Sequence, residues 1–221
     1  MFINLKELTT KAWKNILSEE TYNDIVSNNP NKDTNKTAYS YIYKRQNEAL
    51  QEAFGNFKAN PDKKLQKEFE HFKRENDFWL DKDSLYEALS VEYNNDYWPL
   101  WTSETDKNLF NPQSNEERMQ FGERIKEIEN KYADVIELYK FTQFVIAKQN
   151  EETRKFAKKH GIKMIADRQV AFSDRDCWAY QSLFLKGWCL GCPPDYFSKD
   201  GQAWGFPVMD PERMYNACLL Y

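Results

Sequence analysis

The chain has 221 residues, of which 41% are hydrophobic, 30% charged and 16% aromatic, and its net charge at pH 7 is −4. This composition fits a water-soluble protein of one large domain or two small ones. The mixed and slightly acidic charge excludes the basic surface that nucleic-acid binding requires. There is no run of 18 apolar residues and no secretory signal, so we expect a cytoplasmic protein without a membrane partner.

The first 160 residues hold two of the seven glycines and show helical periodicity, which favours a mainly α-helical region. A short strand and a helix are expected within residues 1–26, and a solvated loop over 28–37. Three helices are predicted next: over about 39–57, from about 60 with Asn60 as cap and Pro61 in its first turn, and over about 83–92.

Residues 94–112 form a predicted loop rich in aromatic side chains, among them Tyr97, Trp98 and Trp101. Such rings could face a carbohydrate, or they could be buried against a helical core. We favour burial, because aromatic side chains mostly serve as buried area in folded proteins.

One long helix is predicted from the Ser-x-x-Glu capping sequence at Ser114 to about Lys159, with Gly161 as its left-handed end. Residues 162–167 that follow, four of which are apolar, are predicted to form a buried strand of a parallel sheet. Parallel sheets carry functional groups at the carboxyl ends of their strands, which makes Asp167 a candidate site residue. A role as a turn cap is the alternative for Asp167.

The most distinctive segment is residues 191–207, which contains three prolines, three glycines and four aromatic residues. Proline lacks the backbone N–H and glycine disfavours regular backbone, so we predict an ordered loop instead of a helix or strand. Aromatic rings beside carboxylate, amide and hydroxyl groups suit the C–H faces and the hydroxyls of a sugar. The segment is therefore a candidate sugar-binding loop.

All four cysteines lie in the last quarter of the chain, and Cys189 and Cys192 form a C-x-x-C pair. A zinc site needs further ligands at suitable spacing, which the isolated Cys177 and Cys218 do not provide. We expect reduced thiols and no bound metal, and we keep a small zinc protein as a minor alternative.

Several segments together carry a resemblance to a known family. In chain order they are Ala49-Leu50-Gln51-Glu52-Ala53-Phe54, Phe78-Trp79-Leu80-Asp81, Tyr139-Lys140-Phe141-Thr142-Gln143, Ala166-Asp167, Asp176-Cys177-Trp178 and Gly191 through Pro207. The last segment is long and specific. With it, the chain resembles the 4-alpha-glucanotransferases, also called amylomaltases or disproportionating enzymes. The Trp-Gly-Phe-Pro sequence is closer to the branch that includes the plant cytosolic enzymes.

The resemblance implies an α/β fold, namely part of an amylase-like (β/α)8 barrel with a large helical insertion, mostly α-helical in this chain. Residues 1–112 would form the insertion subdomain after an early barrel strand. Residues 113–221 would hold a barrel helix, the strand ending at Asp167 and a long substrate-binding loop. The substrate-binding residues that the resemblance implies are Asp167, Asp195, Tyr196, Phe197, Ser198, Gln202 and Trp204.

The resemblance also implies an activity, the transfer of α-1,4-glucan segments from a donor to an acceptor sugar with retention of configuration. One carboxylate attacks the anomeric carbon and a second protonates the leaving oxygen. No metal or organic cofactor is implied. For Asp195, acceptance of backbone N–H bonds in a turn is the alternative role.

The sequence departs from the family pattern at several places. Arg168-Gln169 stands where the family has a small apolar residue and a proline, and residues 217–221 match no family segment. The 221 residues contain neither the Arg-Ile-Asp-His nucleophile motif nor the acid–base Glu and Thr-His-Asp motifs, and a full barrel takes about 250 residues. We therefore expect an interior piece of the enzyme, truncated and inactive alone, without a catalytic residue. A non-catalytic glucan-binding fragment, suggested by the aromatic segments 97–101 and 188–206, is the alternative.

Overall fold

The computed structural model describes residues 3–165 and 171–213. In this part of the chain the structure is mostly α-helical, with one antiparallel two-stranded sheet. The elements in chain order are α1 (Leu5–Leu8), α2 (Glu19–Ser27), α3 (Tyr39–Ala59), α4 (Lys63–Glu75), α5 (Asp77–Glu92), α6 (Glu104–Lys107), α7 (Asn115–Lys131), α8 (Ala133–Lys159), α9 (Asp174–Ala179), β1 (Phe184–Cys192) and β2 (Gln202–Met209). Short 3-10 turns cover Lys11–Trp13, Trp98–Leu100 and Gln181–Leu183.

The chain divides into two compact units. The first unit comprises Met1–Leu80 and Asp134–Met164, and the second comprises Asp81–Ala133 and Ile165–Tyr221. The predicted boundary at residue 112, between an insertion subdomain and a barrel part, stays a prediction. Across the described ranges, no helix combines the length and the apolar character that a membrane span requires.

The core of the first unit is built from phenylalanine rings on α3, α4 and α8. The ring centroids of Phe57 and Phe141 lie 5.0 Å apart, and those of Phe69 and Phe144 lie 5.4 Å apart. All four side chains are buried. Burial of large rings at these separations combines hydrophobic transfer with favourable ring–ring contact.

The predicted strand near the amino terminus is wrong for the described residues, since residues 3–26 contain α1, a 3-10 turn and α2. The backbone of Asn4 is held by a side chain instead of a neighbouring strand. Its N–H donates to Oε1 of the buried Gln149 at 2.9 Å, and its carbonyl accepts from Nε2 of Gln149 at 3.0 Å. These bonds use the groups that a strand would need for pairing.

The helix predicted over 39–57 is confirmed as α3, but the start of α4 differs from the prediction. The N-cap is Asp62, whose Oδ1 accepts from the N–H groups of Lys64 at 3.2 Å and Leu65 at 3.0 Å. Asn60 and Pro61 therefore lie before the helix, because the carboxylate of Asp62 satisfies its free first-turn amides. The next helix, α5, begins at Asp77, six residues earlier than predicted.

The long helix predicted from Ser114 to Lys159 is present as two helices. Ser114 caps α7, since its Oγ accepts from the N–H of Glu117 at 3.1 Å. At Tyr132 the backbone leaves helical geometry, with φ −116° and ψ 26°, and α8 starts at the next residue. Gly161 ends the segment with φ 68°, as predicted for a left-handed cap.

The strand predicted over 162–167 is not formed in its described part, residues 162–165. Ile162, Met164 and Ile165 are 56%, 57% and 95% exposed, where a barrel strand would be buried. A parallel strand needs neighbours on its hydrogen-bonding edges. The two strands among the described residues pair with each other, so residues 162–165 have no such neighbour there. The predicted barrel stays a prediction.

The second unit has its own aromatic core. Trp101 and Trp178 are 1% and 0% exposed, and their rings lie 5.7 Å apart. Tyr86 contacts both rings, at 5.3 and 5.4 Å between centroids. Within the predicted aromatic loop 94–112, Trp101 is thus a core residue, whereas Tyr97 is 46% exposed.

Residues 184–209 form an antiparallel hairpin, so the prediction of a loop without strands over 191–207 is wrong. β1 and β2 pair with Gly191 opposite Ala203 and Cys192 opposite Gln202. Between the Gly191–Ala203 and Cys189–Pro207 pairs the register shifts. A two-stranded ribbon has a free edge on each strand, which tolerates a proline, and bulges accommodate glycine.

Candidate functional site

The hairpin tip, defined as residues 193–201, exposes two aromatic rings. Tyr196 is 95% exposed and Phe197 is 88% exposed. Their ring centroids lie 5.4 Å apart with an interplanar angle of 89°. Exposed aromatic side chains in contact on an ordered turn are unusual for a surface loop and are typical of a binding site.

Hydrogen bonds from Asp195 and Ser198 fix the shape of the hairpin tip. Oδ1 of Asp195 accepts from the N–H groups of Phe197 at 2.9 Å and Ser198 at 2.7 Å. The N–H of Asp195 donates to the carbonyl of Ser198 at 2.9 Å, and the Ser198 hydroxyl donates to the carbonyl of Gly201 at 2.6 Å. The turn role considered for Asp195 is therefore present in the structure.

Two glycines are required by the close approach of the backbone around the tip. A Cβ at Gly191 would lie 2.2 Å from the carbonyl oxygen of Gln202. Gly201 has φ 73°, and a Cβ there would lie 2.6 Å from the carbonyl oxygen of Cys192. Both positions exclude any larger residue without backbone movement. The glycines of the motif thus bring β1 and β2 together directly below the tip.

Gln202 and Trp204 lie at the start of β2. Nε1 of Trp204 donates to Oε1 of Gln202 at 3.2 Å, and the Trp204 side chain is 45% exposed. The bond holds the indole while leaving a large part of it open to solvent. The structure thus brings Asp195, Tyr196, Phe197, Ser198, Gln202 and Trp204 together on one hairpin. Asp167 lies outside the described residues.

Trp188 belongs to the aromatic segment 188–206 but was not named as a site residue from the sequence; in the structure it lies on β1 and is 70% exposed. A signal was available, because Trp188 lies three residues before the Gly191–Pro207 segment and between a glycine and a cysteine. A large ring in a short Gly-rich strand has few neighbouring side chains on that strand to pack against.

The segment that leads into β1 is anchored to the core of the second unit. Ser173 and Asp176 form a capping box at the start of α9. Trp178 at the end of α9 donates from Nε1 to the carbonyl of Asp106 at 2.8 Å. The side-chain amide of Gln181 donates to the carbonyl of Lys107. Asp176 therefore has a structural role as part of a helix cap. The carbonyls of Asp106 and Lys107 on α6 hold the segment that leads into the hairpin.

Asp106, which is 1% exposed, joins α6 to the rest of this core. Its Oδ1 accepts from Nε of Arg124 at 2.8 Å, and its Oδ2 accepts from Nη2 of Arg124 at 2.9 Å and from the Tyr93 hydroxyl at 2.5 Å. The hydrogen bonds to Asp106 raise the pKa of Arg124. A buried carboxylate with this bidentate partner and a phenol is fully hydrogen-bonded. No sequence signal linked Asp106 to Arg124.

The base of the hairpin is closed by contacts between its two ends. The N–H of Asp210 donates to the carbonyl of Leu183 at 2.8 Å. Arg213 donates from Nη1 to the carbonyl of Ser182 at 2.6 Å, and its Nε lies 3.3 Å from Oδ2 of Asp210. Asp210, a carboxylate near the candidate site in sequence, is thus engaged in holding the hairpin ends together.

The thiols of this region differ in burial and protonation. Burial raises the pKa of the Cys177 thiol to about 11, so this thiol is protonated at neutral pH. Cys189 is exposed and Cys192 is half-buried. Among residues 3–165 and 171–213, no three His, Cys, Asp or Glu side chains converge as a metal-binding group.

Comparison with known proteins gives consistent results. A family model described as 4-alpha-glucanotransferase matches residues 1–218. The 4-alpha-glucanotransferase of Aquifex aeolicus is 32% identical over 183 residues, which cover 79% of this chain and 34% of the relative. That of Clostridium butyricum is 29% identical over 220 residues, which cover 95% of this chain and 40% of the relative.

A solved structure shares the fold. The amylomaltase from Streptococcus agalactiae, in complex with acarbose, superimposes with a TM-score of 0.77 at 21% sequence identity. The superposition covers 97% of this chain and 41% of that chain. The chain thus spans between about a third and two fifths of the length of these relatives.

Proposed function

Because the chain belongs to the 4-alpha-glucanotransferase family, we propose that it holds α-1,4-glucan chains for the transfer of glucan segments between donor and acceptor sugars. The observation that carries the proposal is the hairpin tip, where Tyr196 and Phe197 are exposed on a hydrogen-bonded turn. Sugar rings present C–H faces that stack on aromatic rings, and hydroxyls that need polar partners.

The tip and the start of β2 offer both kinds of contact. Tyr196, Phe197 and Trp204 would stack on glucose rings, and the amide of Gln202 would bind hydroxyls. The turn is held before the sugar arrives, since Asp195 accepts two backbone N–H bonds and Ser198 donates to Gly201. A preformed loop loses less conformational entropy on binding, which favours affinity.

The transfer reaction would follow the retaining route of glycoside chemistry. A carboxylate attacks the anomeric carbon of the donor and expels the leaving sugar, which a carboxylic acid protonates. The acceptor hydroxyl then displaces the carboxylate from the anomeric carbon and gives its proton to the residue that protonated the leaving sugar. Asp167 would support the substrate near the reacting carbon. We assign the nucleophile and the acid to no residue among these 221, and we propose no metal or organic cofactor.

The 221 residues are proposed to bind glucan without transferring it. The absence of an Arg-Ile-Asp-His sequence from them supports this proposal. The direct test is incubation of the purified chain with maltotriose, followed by chromatography of the products. Unchanged maltotriose is expected, whereas the appearance of maltose and maltotetraose would show that the chain transfers glucan by itself.

A non-catalytic glucan-binding role is the second candidate, and the open aromatic hairpin favours it equally. Titration with maltoheptaose while following tryptophan fluorescence tests the binding that both candidates share. Trp204→Ala should lose affinity, whereas Phe156→Ala, which removes a 61% exposed ring on α8, should not. Equal effects of the two substitutions would contradict the proposed site. The cytoplasmic location expected from the sequence remains part of the proposal.

A further inference from the structure

The exposed indole of Trp188 on β1 has no role in the site described above. It is 70% exposed, more than Trp204 at 45%. An apolar surface of this size is more stable when it is removed from water, so a binding partner that covers the indole would gain free energy. We propose that Trp188 is an additional glucan-stacking residue that extends the site along the hairpin and favours longer glucans. This inference rests on the proposed function of the hairpin tip.

The strand register places Trp188 on the same face as Trp204. Cys192 pairs with Gln202, and directly paired residues point to the same face of a sheet. Side chains two positions apart on a strand share a face, so Trp204 lies on the face of Gln202. The 3.2 Å hydrogen bond between the Trp204 and Gln202 side chains agrees with this placement.

The same alternation runs along β1 from Cys192 through Leu190 to Trp188. A second register shift, between Phe184 and Cys189, adds residues on β1, where Gly187 has φ 78° directly before Trp188. Between the Gly191–Ala203 and Cys189–Pro207 pairs, β2 advances by four residues while β1 advances by two. The extra residues of this register shift therefore lie on β2. Trp188 lies two residues, about 7 Å, along β1 from Leu190, the residue next to the Gly191–Ala203 pair.

The resulting strip of rings suits a glucan better than a protein partner. Trp204 and Trp188 follow the proposed sugar-binding tip along the hairpin, and the amide of Gln202 lies beside Trp204. A glucan presents apolar faces and hydroxyls in repetition along its length, which such a spaced strip can meet one after another. A short sugar that occupies the tip would not extend as far as Trp188.

The test compares two glucan lengths in calorimetric titrations of the full 221-residue chain. Trp188→Ala should weaken maltoheptaose binding about fivefold to tenfold, the change expected from one lost aromatic contact, and should change maltotriose affinity less than about twofold. Trp188→Phe keeps a ring and should retain most of the maltoheptaose affinity even if the alanine variant fails to fold. Trp204→Ala should weaken binding of both sugars, and Phe156→Ala neither.

The outcomes separate this inference from the function on which it rests. If Trp204→Ala weakens maltoheptaose binding and Trp188→Ala does not, the inference on Trp188 fails and the proposed function stands. If the unsubstituted chain binds no maltoheptaose, both fail. If Trp188→Ala converts a dimer to a monomer in sedimentation without a change in glucan affinity, a second copy of the chain covers the indole and the inference is overturned.

Discussion

The second unit contains two aromatic segments that look alike in sequence and differ in structure. In residues 94–112, Trp101 is 1% exposed and packs against Trp178. In the hairpin, Tyr196 and Phe197 are 95% and 88% exposed. The difference lies in the packing partners of each segment. Helices α5 and α9 supply Tyr86 and Trp178, whose rings pack against Trp101 of residues 94–112. Aromatic content alone therefore does not separate a core from a binding surface.

The largest expected difference between the two segments is in stability. Trp178→Ala removes a fully buried ring and its hydrogen bond to Asp106, so the free energy of unfolding should fall by about 3–5 kcal/mol. Tyr196→Ala should change it by less than about 0.5 kcal/mol, because the ring is exposed. Urea denaturation of both variants measures this contrast. Similar losses would mean that the hairpin tip is packed in solution.

A second expected difference is the response of the core to alkaline pH. Burial raises the pKa of Tyr86 and of Tyr93 to about 12, above the ordinary value of about 10. The folded state therefore prefers the neutral phenols, and this stabilisation is complete below about pH 10 and is lost as the pH rises through about 12.

Thermal unfolding at about pH 9 and about pH 11.5 measures the effect. The melting temperature of the unsubstituted chain should fall between these values. In a Tyr86→Phe, Tyr93→Phe double variant the fall should be smaller, because both phenols are gone. An identical fall in the double variant would show that other groups cause the alkaline loss.

A smaller effect is expected from alanine substitutions at two glycines, one in a crowded position and one with open space around it. A Cβ at Gly191 would meet the carbonyl of Gln202 at 2.2 Å, so Gly191→Ala should disturb the hairpin, at a cost of about 1–3 kcal/mol, and weaken glucan binding. Gly55 lies in α3 with no atom within 4 Å of a Cβ, so Gly55→Ala should stabilise by about 0.5–1 kcal/mol. Thermal melts and maltoheptaose titrations of both variants check the pair. Loss of affinity in Gly55→Ala would contradict the assignment of the site.

The smallest expected effect concerns the turn at the tip. Asp195→Ala removes the acceptor for the N–H groups of Phe197 and Ser198 and should weaken glucan binding about threefold to tenfold through loss of loop order. Asp195→Asn keeps an acceptor oxygen and should retain more of the affinity. If Asp195→Asn loses as much glucan affinity as Asp195→Ala, the role of Asp195 depends on its charge, and the account of Asp195 as a turn acceptor is contradicted.

Local rules predicted those features that depend on neighbouring residues. The cap at Ser114, the left-handed end at Gly161 and the burial of Trp101 followed from short sequence patterns and are present. The hairpin was missed because Gly205 and Pro207 are unfavourable in a regular strand. A two-stranded ribbon accepts them, with Gly205 at φ 73°.

Features that depend on distant residues could not be predicted. Asp106 and Arg124 are 18 positions apart, and nothing local shows that α7 brings the guanidinium onto the carboxylate. The strand predicted over 162–167 is not formed in its described part, 162–165, for the same reason, because a parallel strand is defined by its neighbours and not by its own sequence. The candidate site residues were found through the motif, whereas the exposure of Trp188 and its place on β1 required the structure.

The central claim is that the exposed rings of the hairpin, and not the buried rings of residues 94–112, meet the glucan. Hydrogen exchange of the full chain with and without saturating maltoheptaose, resolved by peptide, tests it most directly. We predict slower exchange over residues 184–209 and unchanged exchange over residues 94–112. Slower exchange over 94–112 with no change in the hairpin would contradict the claim.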